Sequence, residues 1–201
     1  MKRKGAKSNR WSDHYTRRAR QEKFPARSVY KLQEIQQKFR IIHRGDRVLD
    51  LGCAPGSWLA YAARCTGSGG RVIGIDPRPV KANLPDMVTV VRADALETGS
   101  TAMKPVMERA FDVVLSDMAP ATSGQKDTDA ARSFRLCEAA LEIAAQVLVP
   151  GGRLLVKIFQ GPDFEAYRAA MVKAFQQCRI YKPRSSRKAS KEIYLIGIGK
   201  R

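Results

Sequence analysis

The sequence lacks several features that would assign it to other classes of protein. It has no apolar run long enough to cross a bilayer, and its basic N-terminus has no apolar segment after it, as a secretory signal would. Its four cysteines show no CxxC spacing, and its two histidines do not cluster with them. We therefore expect a cytoplasmic protein with reduced thiols, no metal site and no membrane span. Organelle import is the alternative, because transit peptides are also basic.

Acidic residues are scarce at both ends of the chain. The net charge of the 201 residues is +18. Residues 1–40 carry thirteen Lys and Arg residues and three acidic residues, and residues 179–191 carry six Lys and Arg residues and no acidic residue. The middle, 41–178, is nearly neutral, with sixteen basic and fifteen acidic residues. Basic blocks of this kind attract a polyanion and release its counterions, so the pattern predicts nucleic-acid binding. A solvated tail that only aids solubility is the alternative.

The length fits one domain with a full core. Residues 1–10 are expected to form a basic disordered tail, and 11–201 a single domain on which the N-terminal helices, within 11–43, pack. We expect the nucleic-acid contacts in that tail and in the basic loop before the last strand. The candidate residues are Lys2, Arg3, Lys4, Arg10, Arg184, Arg187 and Lys188.

Hydrophobic patterning predicts helices and strands in alternation. Two helices, 11–23 and 28–38, precede the first strand and are separated at Pro25. Strands are predicted at 47–51, 71–75, 87–92, 111–116, 153–158, 178–181 and 193–198. Helices are predicted between them at 57–65, 130–148 and 163–175. This alternation predicts an α/β fold with a mostly parallel, doubly wound sheet and helices on both faces.

The last connection predicts an antiparallel strand at the C-terminus. Residues 182–191 are too few for a parallel crossover, which needs a dozen or more residues, so the last two strands should pair antiparallel. Glu192, which opens the last strand, then lies at the carboxyl rim of the sheet. Asp117 and Lys157 end two earlier strands at the same rim, where open α/β sheets bind ligands. Lys31 precedes the sheet and is not placed by this argument.

A glycine turn with the sequence DLGCAPG follows the first predicted strand. Gly52 and Gly56 permit a tight turn and close approach of backbone to a ligand. Asp76 ends the second strand, twenty residues after Gly56, where a carboxylate suits a ribose diol. The spacing is GxxxG, with Ala54 where a dinucleotide fold has glycine. An adenosine cofactor without pyrophosphate, S-adenosylmethionine, fits better, and Asp94 after the third strand adds a further candidate contact.

Five segments carry a family resemblance that runs from about Trp11 to Gly199. They are SVYKL at 28–32, DLGCAPGSW at 50–58, LSDMAP at 115–120, LVK at 155–157 and KEIY at 191–194. Together they closely resemble the FtsJ/RrmJ family of ribose 2′-O-methyltransferases. The resemblance implies a Rossmann-like, S-adenosylmethionine-dependent enzyme that methylates a uridine ribose in large-subunit (23S) ribosomal RNA, in the assembling subunit. The enzyme is expected to be a monomer.

The resemblance also implies a site. The family's catalytic tetrad falls on Lys31, Asp117, Lys157 and Glu192. Its cofactor contacts fall on Gly56, Trp58, Asp76, Asp94 and Asp117. Lys157 is the hypothetical general base, and the other three members hold it or position the ribose. Two alternatives stay open: a tRNA ribose 2′-O-methyltransferase, and a non-catalytic RNA-binding factor in ribosome assembly.

Overall fold

Helices and strands alternate along most of the chain. The computed structural model describes residues 10–120, 126–187 and 190–201, and the side chains of 10–13 and 126–130 are left out of the description. The strands are β1 (Arg47–Leu51), β2 (Arg71–Ile75), β3 (Val88–Val91), β4 (Phe111–Ser116), β5 (Leu148–Phe159), β6 (Phe175–Tyr181) and β7 (Glu192–Lys200). The helices are α1 (Arg10–Gln21), α2 (Val29–Phe39), α3 (Ser57–Thr66), α4 (Lys104–Met107), α5 (Lys126–Val147) and α6 (Phe164–Ala174).

All seven strands form one sheet in the order β3-β2-β1-β4-β5-β7-β6. The pairs β3–β2, β2–β1, β1–β4 and β4–β5 are parallel. Strand β7 lies between β5 and β6 and is antiparallel to both, which confirms the predicted antiparallel pair at the C-terminus. The mostly parallel α/β sheet is therefore as predicted, whereas the insertion of β7 next to β5 was not predicted.

Alternating side chains of the central strands pack into two hydrophobic cores, one on each face of the sheet. One core packs the sheet against α4, α5 and α6, and the other packs it against α2 and α3. On β4, for example, Val114 faces the first core while Val113 and Leu115 face the second. The helices on both faces confirm the doubly wound arrangement.

Two hydrogen bonds tie the N-terminal helices to the start of α3. The Ala26 N–H donates to Ser57 Oγ at 2.7 Å, and Trp58 Nε1 donates to the Ser28 carbonyl at 2.9 Å. Both bonds lie immediately before α2, so they fix where that helix begins on the sheet. Leu32 and Ile35 of α2 pack into the second core.

Element boundaries differ from the prediction mainly at chain reversals. Strand β5 begins at Leu148 rather than 153, because the Pro150-Gly151-Gly152 segment that was expected to end a helix runs within the strand. Helix α4 was not predicted, since its four residues are too few to show a helical period. Within the described ranges, no helix is long and apolar enough to cross a membrane. Residues 1–9 of the predicted tail lie outside the described residues, and α1 begins at Arg10.

Candidate active site

Two lysine–carboxylate pairs meet at the carboxyl end of the sheet. The Lys157 ammonium lies 3.0 Å from Asp117 Oδ1 and donates a 2.7 Å hydrogen bond to the Asp117 backbone carbonyl. The Lys31 ammonium lies 2.7 Å and 2.8 Å from the two carboxylate oxygens of Glu192. The structure therefore brings together the four residues of the predicted tetrad.

Strand register explains how these side chains converge. Lys157 on β5 lies opposite Tyr194 on β7, and Glu192 precedes Tyr194 by two positions. Side chains two apart point to the same face of a strand, so Lys157, Tyr194 and Glu192 share one face. Tyr194 packs in the core beneath α2 and α3, which identifies that face as the one that α2 covers. Lys31 reaches Glu192 because it projects from α2.

The tetrad is largely shielded from solvent. The exposed fractions of the side chains are 5% for Lys157, 18% for Asp117, 15% for Lys31 and 11% for Glu192. Ser186 Oγ also donates a 2.9 Å hydrogen bond to Glu192 Oε1. A charge at this depth is strongly destabilised when its partner is removed, so each pair behaves as a unit.

Tyr194 connects the two pairs, and sequence reasoning did not assign it to the site. Its hydroxyl donates a 2.8 Å hydrogen bond to Asp117 Oδ1, and the Lys31 ammonium lies 6.0 Å from its ring centroid. Burial raises the pKa of Tyr194 well above its ordinary value, and the Asp117 and Glu192 carboxylates raise it further. The hydroxyl therefore stays protonated and orients Asp117. Its position two residues after Glu192 was the signal in the sequence that could have identified it.

A cavity of about 620 Å³ opens next to the tetrad, a volume within the usual range of roughly 300–1,000 Å³ for small-molecule sites. Four of the predicted cofactor residues line it, namely Gly52, Asp76, Asp94 and Asp117. Helix α5 closes the cavity with Arg132, Arg135 and Leu136, which the sequence did not indicate. Asp117 belongs both to this lining and to the Lys157 pair, so the cavity ends at the tetrad.

Gly56 and Trp58 lie outside the cavity lining. A Cβ at Gly56, whose φ is +108°, would lie 2.7 Å from Val80 Cγ1 and from Ala82 Cβ, so this glycine allows close approach of another chain segment. Trp58 is 3% exposed and packs 6.1 Å from Tyr194, centroid to centroid. The structure thus gives both residues a packing role, and their contact with the cofactor stays a prediction.

Asp76 is held by neighbouring donors. Its carboxylate accepts hydrogen bonds from the Ala54 N–H at 3.0 Å, from the Arg78 N–H at 2.9 Å and from the Arg78 guanidinium at 3.1 and 3.2 Å. Burial acts to raise the pKa of Asp76, but the hydrogen bonds from Arg78 and Ala54 outweigh it, and the net pKa lies below the ordinary value. The carboxylate is therefore ionised, and these four hydrogen bonds fill its lone-pair sites, so a diol reaches it only by displacing the exposed Arg78 guanidinium.

Asp50 is a second buried carboxyl, beneath the glycine turn. It is fully buried, and neither of its oxygens has a hydrogen-bond partner among the described residues. Burial raises the pKa of Asp50 well above its ordinary value of 3.8, and the Asp117 and Asp76 carboxylates raise it further. Burial therefore favours the protonated form of Asp50 in the folded protein.

We expect Asp50→Asn to change how stability depends on pH. Above pH 3.8 the unfolded chain ionises Asp50 while the folded chain keeps its proton, so folding of the wild type weakens as pH rises towards the folded-state pKa. An amide cannot ionise, so the stability difference should shift in favour of the variant by up to about 1.4 kcal/mol per pH unit. Urea unfolding between pH 4.5 and 6.5 measures this, and parallel profiles for the two proteins would contradict it.

The predicted nucleic-acid contacts are described only in part. Arg184 and Arg187 are exposed on the loop between β6 and β7, which is tied to α2: the Arg184 and Ser185 N–H groups donate to Glu34 at 2.7 and 2.8 Å. Residues outside the described ranges are Lys2, Arg3, Lys4 and Lys188, and the Arg10 side chain is also left out.

Comparison with known protein families shows which family the chain belongs to. Residues 24–200 match the family described as FtsJ-like methyltransferase. The chain belongs to this family. The match spans the glycine turn, all four tetrad residues and β7, so the whole candidate site lies within the family region.

Individual relatives cover nearly the full chain. A protein of Desulforapulum autotrophicum named ribosomal RNA large subunit methyltransferase E is 54% identical over 195 residues, which are 97% of this chain and 96% of that protein. A protein of Desulfosudis oleivorans with the same name is 49% identical over 202 residues, covering 100% and 97%. A crystal structure from Plasmodium falciparum, assigned as a ribosomal RNA methyltransferase, superposes with a TM-score of 0.77 at 25% identity, covering 88% and 98%.

The cavity fits the cofactor that methyltransferases in general use, S-adenosylmethionine. Its volume suits a nucleoside-sized ligand, and its ionised Asp76 carboxylate suits a ribose diol. Gly52 has φ +76°, and a Cβ there would lie 2.7 Å from Met118 Cγ, so the absence of a side chain brings the two loops at the cavity mouth together. That Asp76 holds the diol and that Asp117 faces the methionine ammonium stay predictions, and the lining of the cavity is consistent with both.

Asp76→Ala should weaken S-adenosylmethionine binding by about 10–100-fold, because a diol left without its hydrogen-bond partner costs roughly 1–3 kcal/mol. Titration calorimetry with the full chain measures the affinity. The matched control is Asp86→Ala, which removes an exposed carboxylate outside the cavity lining and should leave affinity unchanged. Equal affinities for wild type and Asp76→Ala would overturn the assignment.

Proposed function

We propose that this protein transfers a methyl group from S-adenosylmethionine to the 2′ hydroxyl of a uridine ribose in large-subunit ribosomal RNA, in the cytoplasm and in the assembling subunit. The observation that carries the proposal is the position of Asp117, which lines the cofactor cavity and pairs with Lys157. A cofactor bound in the cavity and the amine of Lys157 would therefore both contact the Asp117 carboxylate. The relatives named ribosomal RNA large subunit methyltransferase E support the choice of RNA.

The methyl donor is already reactive, so the protein has two tasks: to make the ribose oxygen a nucleophile and to align it with the methyl group. The bound cofactor supplies an electrophilic methyl group on a sulfonium. The protein must place the ribose oxygen in line with that methyl carbon and remove the hydroxyl proton as the O–C bond forms and the C–S bond breaks. A general base contributes roughly 10²–10⁴-fold, and positioning supplies much of the rest.

In this proposal Lys157 Nζ takes the proton. The amine accepts it only in its neutral form, so Lys157 must have released a proton before the ribose reacts. Asp117 holds Lys157 through both its carboxylate and its backbone carbonyl, and the Tyr194 hydroxyl donates to the same carboxylate oxygen, Oδ1. The Lys31–Glu192 pair positions the ribose, with Ser186 holding one Glu192 oxygen.

Two other functions make different predictions. A tRNA ribose methyltransferase would use the same chemistry on another RNA. A non-catalytic assembly factor would bind RNA without methyl transfer, but a binding protein has no need for two buried lysine–carboxylate pairs beside a cofactor cavity, and the tetrad argues against it.

Mapping 2′-O-methyl groups in total RNA tests the proposal. One ribose in large-subunit RNA should lose its methyl group when the gene is deleted, and the wild-type gene but not Lys157→Ala should restore it. A loss confined to tRNA would support the tRNA enzyme instead. Unchanged methylation in every RNA would exclude the proposed catalytic function.

RNA binding should depend strongly on salt, and the basic ends should set that dependence. Deleting residues 1–10, or replacing Arg184, Arg187 and Lys188 by alanine, should flatten the plot of log affinity against log salt by about 0.7–0.9 for each phosphate that the variant no longer neutralises. The matched control replaces Lys104, Arg109 and Lys173, three exposed cations on the α4 and α6 side. Unchanged slopes would mean that the basic ends only aid solubility.

A further inference from the structure

A second cavity is lined by residues of α1, α2, the end of β6 and the β6–β7 loop, and no described residue lines both cavities. Its volume is about 410 Å³, and we call it the α1–α2 pocket. The lining combines aromatic rings and cations from α1, α2 and the end of β6. The aromatic and cationic residues of the lining are Tyr15, Arg18, Tyr30, Lys38, Tyr181 and Arg184.

The aromatic rings of this pocket already accept cations. Lys38 Nζ lies 4.7 Å from the Tyr181 ring centroid, and the Arg18 guanidinium lies 4.7 Å from that of Tyr30. Tyr15 lies 5.2 Å from Tyr30, centroid to centroid, and both Tyr15 and Tyr181 are only partly buried. Flat, partly open rings with cations beside them are the surface on which single-stranded nucleic acids stack their bases.

The charges of the pocket favour an anion. Glu34 is its only carboxylate among the lining residues that the structure describes, and its two oxygens already accept the Arg184 and Ser185 N–H groups. Arg18 pairs with Glu22 at 2.7 Å. The ammonium of Lys38 and the guanidinium of Arg184 make no salt bridge to a carboxylate in the described part of the chain, so they are the cations that a phosphate would meet.

The pocket lies close to the catalytic tetrad along the same helix. Lys31, Glu34 and Lys38 are spaced i, i+3 and i+7, so they follow one side of α2. Seven residues of α-helix span roughly 10 Å, which separates the backbone of Lys38 from that of Lys31. The β6–β7 loop also connects the pocket with the tetrad, because Arg184 lines the pocket and Ser186 donates a hydrogen bond to Glu192.

We infer that the α1–α2 pocket binds one unpaired nucleotide of the RNA strand that carries the target ribose. The base stacks on Tyr15 or Tyr181, and its phosphate lies between Lys38 and Arg184. This inference rests on the proposed function and adds a requirement to it: the RNA near the target ribose must be single-stranded. The pocket then holds the strand at a fixed distance from Lys31 and so helps to present the ribose hydroxyl.

The test separates base stacking from phosphate binding. Fluorescence anisotropy measures the affinity of the full chain, with S-adenosylhomocysteine filling the cofactor cavity, for oligouridine of nine nucleotides and for a ribose–phosphate nonamer without bases. The ratio of the two affinities should fall by about tenfold in Tyr15→Leu or in Tyr181→Leu, since one stacked base is worth about that factor. Leucine keeps apolar bulk but has no flat face.

A second variant tests the phosphate contacts and keeps every aromatic side chain of the pocket. Lys38→Ala with Arg184→Ala, both exposed, should weaken both oligomers equally and leave their ratio unchanged. The control Lys104→Ala with Lys173→Ala removes the same charge on the other side of the sheet and should weaken both oligomers less. If neither tyrosine variant lowers the ratio, or if the two double variants act alike, the inference is overturned.

The readout also distinguishes this inference from the proposed function. Binding of the two oligomers is measured without methyl transfer. If gene deletion leaves all RNA methylation unchanged while the tyrosine variants still lower the affinity ratio, the proposed catalysis fails and the nucleotide pocket stands. If methylation depends on the gene but the ratio does not change, the pocket assignment alone is wrong.

Discussion

Lys157→Ala is expected to lower the single-turnover rate of methyl transfer by about 10²–10⁴-fold, the usual contribution of a general base. Lys157 does not line the cofactor cavity, and among the described residues its ammonium bonds to Asp117 alone. The loss should therefore appear in the rate constant, with S-adenosylmethionine affinity nearly unchanged. Rapid-quench kinetics with saturating RNA, together with calorimetry for the cofactor, separate the two quantities.

Lys157→Arg is the decisive companion variant. Arginine keeps the positive charge and can still pair with Asp117, but it does not give up a proton in a protein. If proton removal is what Lys157 contributes, the arginine variant should be almost as slow as the alanine variant. A rate near that of the wild type at neutral pH would mean that Lys157 acts through its charge or by orientation, and the general-base mechanism would have to be abandoned.

The Lys31–Glu192 pair should behave as one functional unit. Because Lys31 contacts both oxygens of Glu192, removing either side chain takes away the ion pair that helps to position the other. We expect Lys31→Ala and Glu192→Ala each to slow turnover by about 100-fold, a typical effect of misplaced substrate. The double variant should be no slower than either single variant, as found for residues that act together.

Single-turnover rates of the three variants complete a double-mutant cycle. Independent roles for the two residues would instead multiply, giving a loss of about 10⁴-fold in the double variant. Cofactor affinity should stay unchanged throughout, since neither residue lines the cofactor cavity. Lys173→Ala, an exposed lysine on α6, is the matched control for loss of one positive charge and should keep the wild-type rate.

The sheet was predictable because each strand carries its own apolar run, bounded by a polar strand end. Strands β1, β2 and β4 have the boundaries predicted from the sequence. The convergence of Asp117, Lys157 and Glu192 followed from topology alone, because a strand antiparallel to its neighbours begins where they end. Lys31 was assigned only through the family resemblance, since nothing local to 28–32 shows which face of the sheet its helix covers.

Other parts of the site depend on contacts between distant segments. Tyr194 has the apolar character of a core residue, and only its register opposite Lys157 shows that its hydroxyl reaches Asp117. Glu34 and Ser186 come from segments about 150 residues apart, and both contribute to holding the β6–β7 loop at the rim. A hydrogen bond between such segments leaves no periodic signal in either one.

The position of β7 has a consequence for how the protein is made. The residues that line the cofactor cavity all precede position 137, whereas the tetrad is completed by Glu192 on the last strand. A ribosome releases the N-terminal segments first, and β7 must then insert between two strands that are already synthesised. In a growing chain the residues that line the proposed cofactor cavity are therefore synthesised before Glu192, which completes the proposed tetrad. The proposed catalytic site is complete only after β7 has been synthesised and has inserted between β5 and β6.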